Sequence, residues 1–365
     1  MSTGLKTPLY DWHVAQGGRM VDFAGWAMPV QYTSIVAEHV AVRTATGLFD
    51  ISHMGRLWIR GPQAQAFLDR VLTTNVAALA PGQVSYSLVC NTLGGVLDDV
   101  LVTRFDAETP SREYLLVVNA SNRQKIVAWL ETHRPGFDVQ IDDETLATGM
   151  IAVQGPGAVS LVTPLVTGDA AGLAYYTAMR GQVLGQDAII SRTGYTGEDG
   201  FELVVPAAAT QSIWEALVAA GARPCGLGSR DTLRLEAAMP LYGHELSEAG
   251  DPLSAGLSFA VKFREGGFLG SEALAAVKQR GVTKKRVGLQ LAGRRIARET
   301  LPVFAGERQI GTVTSGTFSP TLEKSIAMAV IEADAATPGA SVEIEIRGSR
   351  EPATIVKLPF YKRAT

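Results

Sequence analysis

The sequence predicts a mixed α+β chain that ends in an all-β domain. Three observations lead there. Residues 56–142 read as β-α-β-β-β-α-β, the order of a layered α+β unit. A similar succession of features returns roughly ninety residues later, as a duplicated unit would. From Val287 to the end, short strand-like runs are cut by glycine turns about ten residues apart, as in a small barrel or sandwich.

In the first unit, Leu57-Trp-Ile-Arg60 reads as a strand. Gly61-Pro62 then opens a helix, with proline in the first turn, where its missing N–H costs little. Ala64, Phe67, Leu68, Val71 and Leu72 recur at helical spacing and make one apolar face. Strands are expected over Val84 to Cys90, Val96 to Arg104 and Glu113 to Val118. A helix follows with Ile126, Trp129 and Leu130 on one face and Ser121 as its N-cap. Phe137 to Asp142 reads as the closing strand. In the echo, Met150 to Gln154 is a strand and Gly155-Pro156 opens a helix. Phe201-Glu-Leu-Val-Val-Pro206 and Trp214 repeat Tyr114-Leu-Leu-Val-Val-Asn119 and Trp129. The Gly-Pro pairs lie 94 residues apart and the tryptophans 85. A pocket between two such related halves is a natural site. Past Asp251-Pro252 come a helix over about Gly270 to Gln279, basic Lys284-Lys-Arg286 at a solvated strand edge, and the turn-punctuated β region.

Composition bounds the function. A chain of 365 residues suggests two to three domains. With 46% hydrophobic residues it has material for real cores, so disorder is excluded as the dominant state. Thirty-three Lys+Arg against 36 Asp+Glu argue against a nucleic-acid partner. No apolar run of about 18 residues suggests a membrane span. Cys90 and Cys225 alone cannot form a disulfide framework and fit a reducing compartment. The opening Met1-Ser-Thr-Gly-Leu-Lys-Thr-Pro8 has neither an apolar signal core nor an Arg-rich transit character, so the expected location is cytoplasmic.

Five histidines, His13, His39, His53, His133 and His244, fall at no metal-ligand spacing, and no metal is expected. Gly194-Tyr-Thr-Gly197-Glu-Asp-Gly200 is neither a phosphate loop nor a dinucleotide fingerprint. It reads as a hairpin turn whose Glu198 and Asp199 suit an N–H-rich ligand better than an anion. No nucleophile elbow is present. Asp98-Asp99 interrupts a Val/Leu strand, where adjacent residues face opposite sides and aspartate is disfavoured. Either the pair caps the Asn91 to Gly95 hairpin, or one partly buried carboxylate serves proton chemistry or a cationic group. Gly226 to Glu236 reads as a helix held by an Asp231–Arg234 pair. Phe49 to Gly55 reads as strand then turn, with His53 by itself a core histidine.

Long motifs then follow in order. They are Val21-Asp-Phe-Ala-Gly-Trp26, Gly47-Leu-Phe-Asp-Ile-Ser-His-Met-Gly55, Asn91 to Asp99, Val117-Val-Asn-Ala-Ser-Asn122, Val153-Gln-Gly-Pro156, Ser191 to Glu202, and Gly226-Leu-Gly-Ser-Arg-Asp231. From about Thr7 to Tyr361 the chain resembles the glycine cleavage system T-protein family of aminomethyltransferases. The resemblance implies a three-domain clover-leaf with a central folate pocket. Its activity would be transfer of a methylene from the aminomethyl group on the dihydrolipoyl arm of H-protein to tetrahydrofolate, releasing ammonia and forming 5,10-methylenetetrahydrofolate.

Residue by residue, the resemblance makes Asp99 the family's essential aspartate, organising proton transfer near the folate N5 and N10. Glu202 matches the glutamate gripping the pterin edge, where a carboxylate accepts parallel N–H donors. Arg230 matches an arginine near the pterin. Met54, Tyr86, Asn119, Tyr176 and Tyr195 match pocket-lining residues, with aromatic area for a flat ring. It implies tetrahydrofolate as co-substrate, no metal, and lipoylated H-protein as partner; the basic Lys284-Lys-Arg286 suits docking of an acidic lipoyl carrier. The domains it implies are 1–55 with 145–255, a ferredoxin-like 56–144, linker helices over 256–285, and a barrel over 286–365. The chain departs from the family at Thr92, Ser229 and Lys362, where Glu, Ala and Arg are common. Two alternatives share the fold: a folate-dependent demethylase, and a non-enzymatic folate-binding factor for iron–sulfur assembly. The second relies on a cysteine motif absent from Arg234 to His244.

Overall fold

Both Gly-Pro junctions lie where a strand hands over to a helix, and the chain after each follows the same route. The structure is a computed structural model describing residues 4–106 and 112–364; Met1 to Thr3, part of the leader reading, lie outside the described residues. Two compact units divide the chain, one of 1–87 with 99–230 and one of 88–98 with 231–365.

A five-stranded sheet has the order Val84–Cys90, Val96–Asp106, Arg112–Val118, Gly55–Arg60, Gln140–Asp143. A seven-stranded sheet has the order Val166–Thr167, Ala178–Val183, Gln186–Ser191, Gly200–Pro206, Thr148–Gln154, Gly47–Asp50, Arg223–Pro224. From Ala178–Val183 onward the second order repeats the first, except that Gly47–Asp50 is inserted before the last strand. Gly55–Arg60 pairs antiparallel with Arg112–Val118 as Thr148–Gln154 does with Gly200–Pro206. The duplication read from sequence is therefore a duplication of topology. A small third sheet is formed by Leu5–Lys6, Trp26–Gln31 and Arg19–Phe23.

Helix Ala64–Val71 buries the apolar face its spacing predicts: Ala64, Phe67 and Leu68 are fully covered. Helix Arg123–His133 buries Ile126 and Leu130, while Trp129 packs its ring on His133 at 4.4 Å. Ser121 is not its cap. A 3-10 turn over Ala120–Asn122 leads into the helix and puts Asn122 at the N-cap, without a side-chain bond. The closing strand also starts later than expected, at Gln140, because Phe137 lies in a turn and packs on Phe67. In the seven-stranded sheet Leu48, Ile151, Val153, Phe201 and Leu203 join Ile213, Trp214 and Leu217 of helix Thr210–Ala219 in one core. Each such side chain contributes about 1.5–3 kcal/mol on burial.

The second unit carries a helix, Ser271–Arg280, and a closed six-stranded barrel. Its strands are Lys284–Leu291, Lys324–Glu332, Arg308–Ser319, Pro302–Ala305, Ser341–Ile346 and Ser349–Val356, filled by Leu289, Val303, Ile331, Ile344 and Ile355. The expected solvated strand edge at Lys284 is the start of a barrel strand: Lys284 to Val287 pair with one neighbour, and a second joins from Gly288. Arg286 is not a free surface charge: it donates to the Ala255 and Ala238 carbonyls at 2.8 and 2.7 Å.

A buried polar chain sits beneath the turn that follows Gly47–Asp50. The His13 Nε2 and Asp50 Oδ2 are 2.9 Å apart with neither side chain exposed, and the Tyr32 hydroxyl is 2.7 Å from His13 Nδ1. The Ser52 N–H donates to the other Asp50 oxygen at 2.9 Å. Burial alone would raise the Asp50 pKa, but the bond to His13, its charge and the bond from Ser52 outweigh it and hold the carboxyl at about 2. The folded-state value lies below the unfolded one, so this contribution is present above about pH 4 and lost as pH falls through about 2. Wild type is expected to exceed Asp50→Asn in stability by on the order of 2 kcal/mol at neutral pH. In urea unfolding the gap should narrow steadily below pH 4; a gap independent of pH would remove the carboxylate from the account.

Candidate active site

Antiparallel register brings the first constellation together. Leu101 faces Val117, and two residues further along this register Asp99 faces Asn119. The Asn119 Nδ2 donates to Asp99 Oδ1 at 2.8 Å and to its backbone carbonyl at 3.0 Å. From Val84–Cys90, the neighbouring strand, the Tyr86 hydroxyl donates to Asp99 Oδ2 at 3.0 Å. Each carboxylate oxygen is therefore held by a different strand. Burial lifts the Tyr86 pKa well above the usual tyrosine range, and nearby Asp99 adds to it. Tyr86 stays a neutral donor.

The two readings of Asp98-Asp99 separate here. The hairpin turn is closed by Asn91, whose Oδ1 accepts from Leu93 and Gly95 at 3.0 and 2.9 Å. Asp98 is fully buried and Asp99 is only partly covered, as strand alternation requires. Asn91 caps the turn, and alternation leaves Asp99 as the partly exposed carboxylate.

The second constellation stands on strand Gly200–Pro206 and helix Leu227–Glu236. Glu202 is 6% exposed and accepts from the Thr193 hydroxyl at 2.6 Å through Oε2. Its Oε1 takes no hydrogen bond from the described residues. Arg230 lies over the Tyr195 ring at 4.9 Å and the Phe49 ring at 6.0 Å. Burial lowers its pKa, while Glu202 and Tyr195 oppose the shift. Its Nη1 is buried without a hydrogen-bond partner. The helix that carries it is fixed by Glu38, a fully buried residue that sequence reasoning missed. Glu38 accepts from the Gly226 N–H at 2.8 Å and from Tyr32 and Thr33 at 2.7 and 3.0 Å. Gly226 is needed there because a Cβ would stand 2.3 Å from the Val30 carbonyl carbon.

Tyr176 links the two constellations. Burial raises its pKa, and both Glu202 and Asp99 act on it electrostatically. Its φ of 62° is left-handed, uncommon for a bulky residue. Backbone bonds hold it there: its N–H donates to Arg192 at 3.0 Å and its carbonyl accepts from Val84 at 2.9 Å. Tyr86, Asp99 and Asn119 are thus hydrogen-bonded together, Arg230 lies over Tyr195, and Glu202 and Tyr176 act on these groups electrostatically. Met54 joins them less directly. It lies in the turn after Gly47–Asp50, its carbonyl accepts from Arg56, and its neighbour His53 feels the charge of Arg230.

The 192–199 segment is a turn between antiparallel strands, as expected, but its acids are not available to a ligand as the sequence suggested. Arg43 donates to Glu198 at 2.9 Å, and Arg192 grips Asp199 through two nitrogens at 3.1 and 2.6 Å. Of that turn, Tyr195 is what faces Arg230. The Asp231–Arg234 pair is present at 2.8 Å, with Arg234 also on Glu245 at 3.0 Å. Among the described residues no group of His, Cys, Asp and Glu could hold a metal ion, and no helix is long and apolar enough to cross a membrane.

Residues 9–265 match the GCVT N-terminal domain model, and residues 284–362 match the glycine cleavage T-protein C-terminal barrel domain. The chain belongs to the glycine cleavage T-protein family. An aminomethyltransferase of Moorella thermoacetica is 49% identical over 98% of both chains. One of Rubrobacter xylanophilus is 50% identical over 98% of this chain and 94% of its own. The crystal structure of the glycine cleavage aminomethyltransferase T of Bartonella henselae superposes with a TM-score of 0.91 at 35% identity, covering 98% of each chain. As a T-protein the chain is an aminomethyltransferase, an enzyme of one-carbon transfer, and the terminal barrel is the family's second domain.

Proposed function

We propose that this T-protein takes the aminomethyl group from the dihydrolipoyl arm of H-protein and passes its methylene to tetrahydrofolate. The products are ammonia, 5,10-methylenetetrahydrofolate and the free dihydrolipoyl carrier. The observation that carries this reading is the Asp99 carboxylate, pinned by Tyr86 and Asn119 beside a polar set with unused hydrogen-bonding capacity. Tetrahydrofolate, when bound, supplies the nitrogens that accept the methylene. The residues fit its pterin head: Glu202 offers a free acceptor oxygen, Arg230 an unpaired buried donor, and Tyr195 a flat face. Tyr86, Asn119, Tyr176 and Met54 line the same pocket in this reading. Asp99 holds or moves a proton at the reacting nitrogen and stabilises positive charge without acting as a competing amine. Neutral Tyr86 keeps the carboxylate oriented.

We also propose a cytoplasmic location and the three-part division read from the sequence. Exposed Lys284 and Lys285 remain candidates for docking an acidic carrier, whereas Arg286 is committed to internal carbonyls.

Single-turnover assay of the protein with aminomethyl-loaded H-protein and tetrahydrofolate should yield ammonia and methylenetetrahydrofolate together. Folate binding without transfer would move the reading to a demethylase or a folate-binding accessory protein. Glu202→Leu removes the acceptor oxygen that Thr193 leaves free, a charge-assisted bond of about 1.5–3 kcal/mol, so affinity for 5-formyltetrahydrofolate should fall tenfold or more. A loss below tenfold by calorimetry would take Glu202 out of the head-group site.

A further inference from the structure

Among the buried polar atoms without a hydrogen-bond partner, one belongs to His53, the neighbour of Met54. His53 is 3% exposed and its Nδ1 is buried without a partner. Neither ring nitrogen makes a hydrogen bond to a described residue. The ring is fixed in orientation: Phe23 meets it edge to face at 5.5 Å with planes 88° apart. Backbone restraint adds to this, because the carbonyls of Ser52 and Met54, on either side, both accept from the buried Arg56 guanidinium. Burial pushes its pKa down to about 4, with Asp50 opposing and Arg230 and Arg56 adding to the fall, so the ring is neutral at pH 7. Arg230, whose charge acts on it, carries another unsatisfied buried atom, Nη1.

A buried polar group without a hydrogen bond costs about 1–3 kcal/mol. Two such groups on separate elements, one lying over Tyr195 and Phe49 and the other held against Phe23, are groups that a bound ligand would satisfy. A neutral imidazole offers one donor and one acceptor, whereas a guanidinium offers donors only. Their joint complement is a flat ligand edge carrying both an acceptor and a ring N–H. We propose that His53 is a ligand-binding residue of this T-protein, pairing with Arg230 to read ring heteroatoms of the co-substrate's bicyclic head. The inference rests on the folate reading above and adds to it a residue that the sequence alone assigned to the core.

The test measures binding by calorimetry with 5-formyltetrahydrofolate, a bicyclic pterin lacking the tail, and p-aminobenzoylglutamate lacking the head. His53→Leu keeps bulk and removes both nitrogens. It is expected to weaken the first two ligands about tenfold or more and to leave the tail fragment unchanged. His53→Asn restores a donor and an acceptor and should recover part of the loss. If His53→Leu proves too unstable to fold, His53→Asn and His53→Gln carry the test: at least one must bind the pterin more weakly than wild type, by more than threefold, while the tail fragment is unaffected. Wild-type binding of 5-formyltetrahydrofolate with equal affinity in every variant overturns the role of His53 and leaves the folate reading standing. Equal loss for head and tail fragments also overturns it, because a merely structural role predicts that pattern. Failure of wild type to bind any of the three overturns the folate reading itself, and this proposal with it.

Discussion

Asp99→Asn is expected to slow single-turnover methylene transfer about a thousandfold, within the 10²–10⁴ range of positioned acid–base groups. Affinity for 5-formyltetrahydrofolate should stay within about fivefold, because a single uncharged hydrogen bond to the ligand is worth about 1 kcal/mol. The substitution keeps the shape of the side chain and one acceptor oxygen. It keeps an acceptor for the Asn119 amide, and its NH2 can donate to the Tyr86 hydroxyl; both groups donate to the carboxylate today, so the loss isolates the charge and the proton function. Tyr86→Phe provides the contrast. It removes one restraint and leaves the charge, so it should cost far less rate than Asp99→Asn. Rapid-quench measurement of product decides it. If the two variants lose rate equally, orientation matters rather than the proton function of the carboxylate; if Asp99→Asn transfers at the wild-type rate, Asp99 has no part in the chemistry.

Arg56→Met is expected to lower stability by about 3–5 kcal/mol, because several buried carbonyls lose their donor at about 1–3 kcal/mol each. Arg56 is fully buried. Its guanidinium donates to the carbonyls of Ser52 at 2.7 Å and Thr148 at 2.8 Å, to those of Met54 and Thr145, and through Nε to the Thr148 hydroxyl at 3.0 Å. Burial draws its pKa down to about 10, which leaves it charged at pH 7. Methionine fills similar space but leaves four buried carbonyls with lost donors. Urea unfolding should show a lower midpoint with little change in slope. The same variant releases the turn bearing His53 and Met54, so folate affinity should fall with stability. A loss under about 1 kcal/mol would mean that water replaces the guanidinium and that the turn is held elsewhere.

Local rules made much of this molecule legible. The face of Ala64–Val71, the strands either side of 192–199, the turns of the barrel and the repeated Gly-Pro junctions all follow from residues a few positions apart. The motifs that carry the resemblance were equally readable, and the family they indicate is the one the whole chain matches. Ser121 was misread because capping preference is local, whereas the 3-10 turn before the helix is set by how the strand ending at Val118 leaves its sheet.

The sequence by itself determined the element types, the duplication, the terminal barrel and the candidate residues. Tertiary structure decided what each polar residue has left to offer. Glu198 looked available until Arg43, 155 residues away, was found bonded to it. By residue type and pattern Asp98 and Asp99 are alike; only the resemblance singles out Asp99, and folding sets Asn119 against it across the strands. Glu38 gave no signal because its partners Tyr32, Thr33 and Gly226 are gathered only by folding. His53 reads as a core histidine until its surroundings are seen to offer no partner. The physical reason is common to all four. Helix and strand patterns depend on neighbours in sequence, whereas hydrogen-bond satisfaction and desolvation depend on neighbours in space.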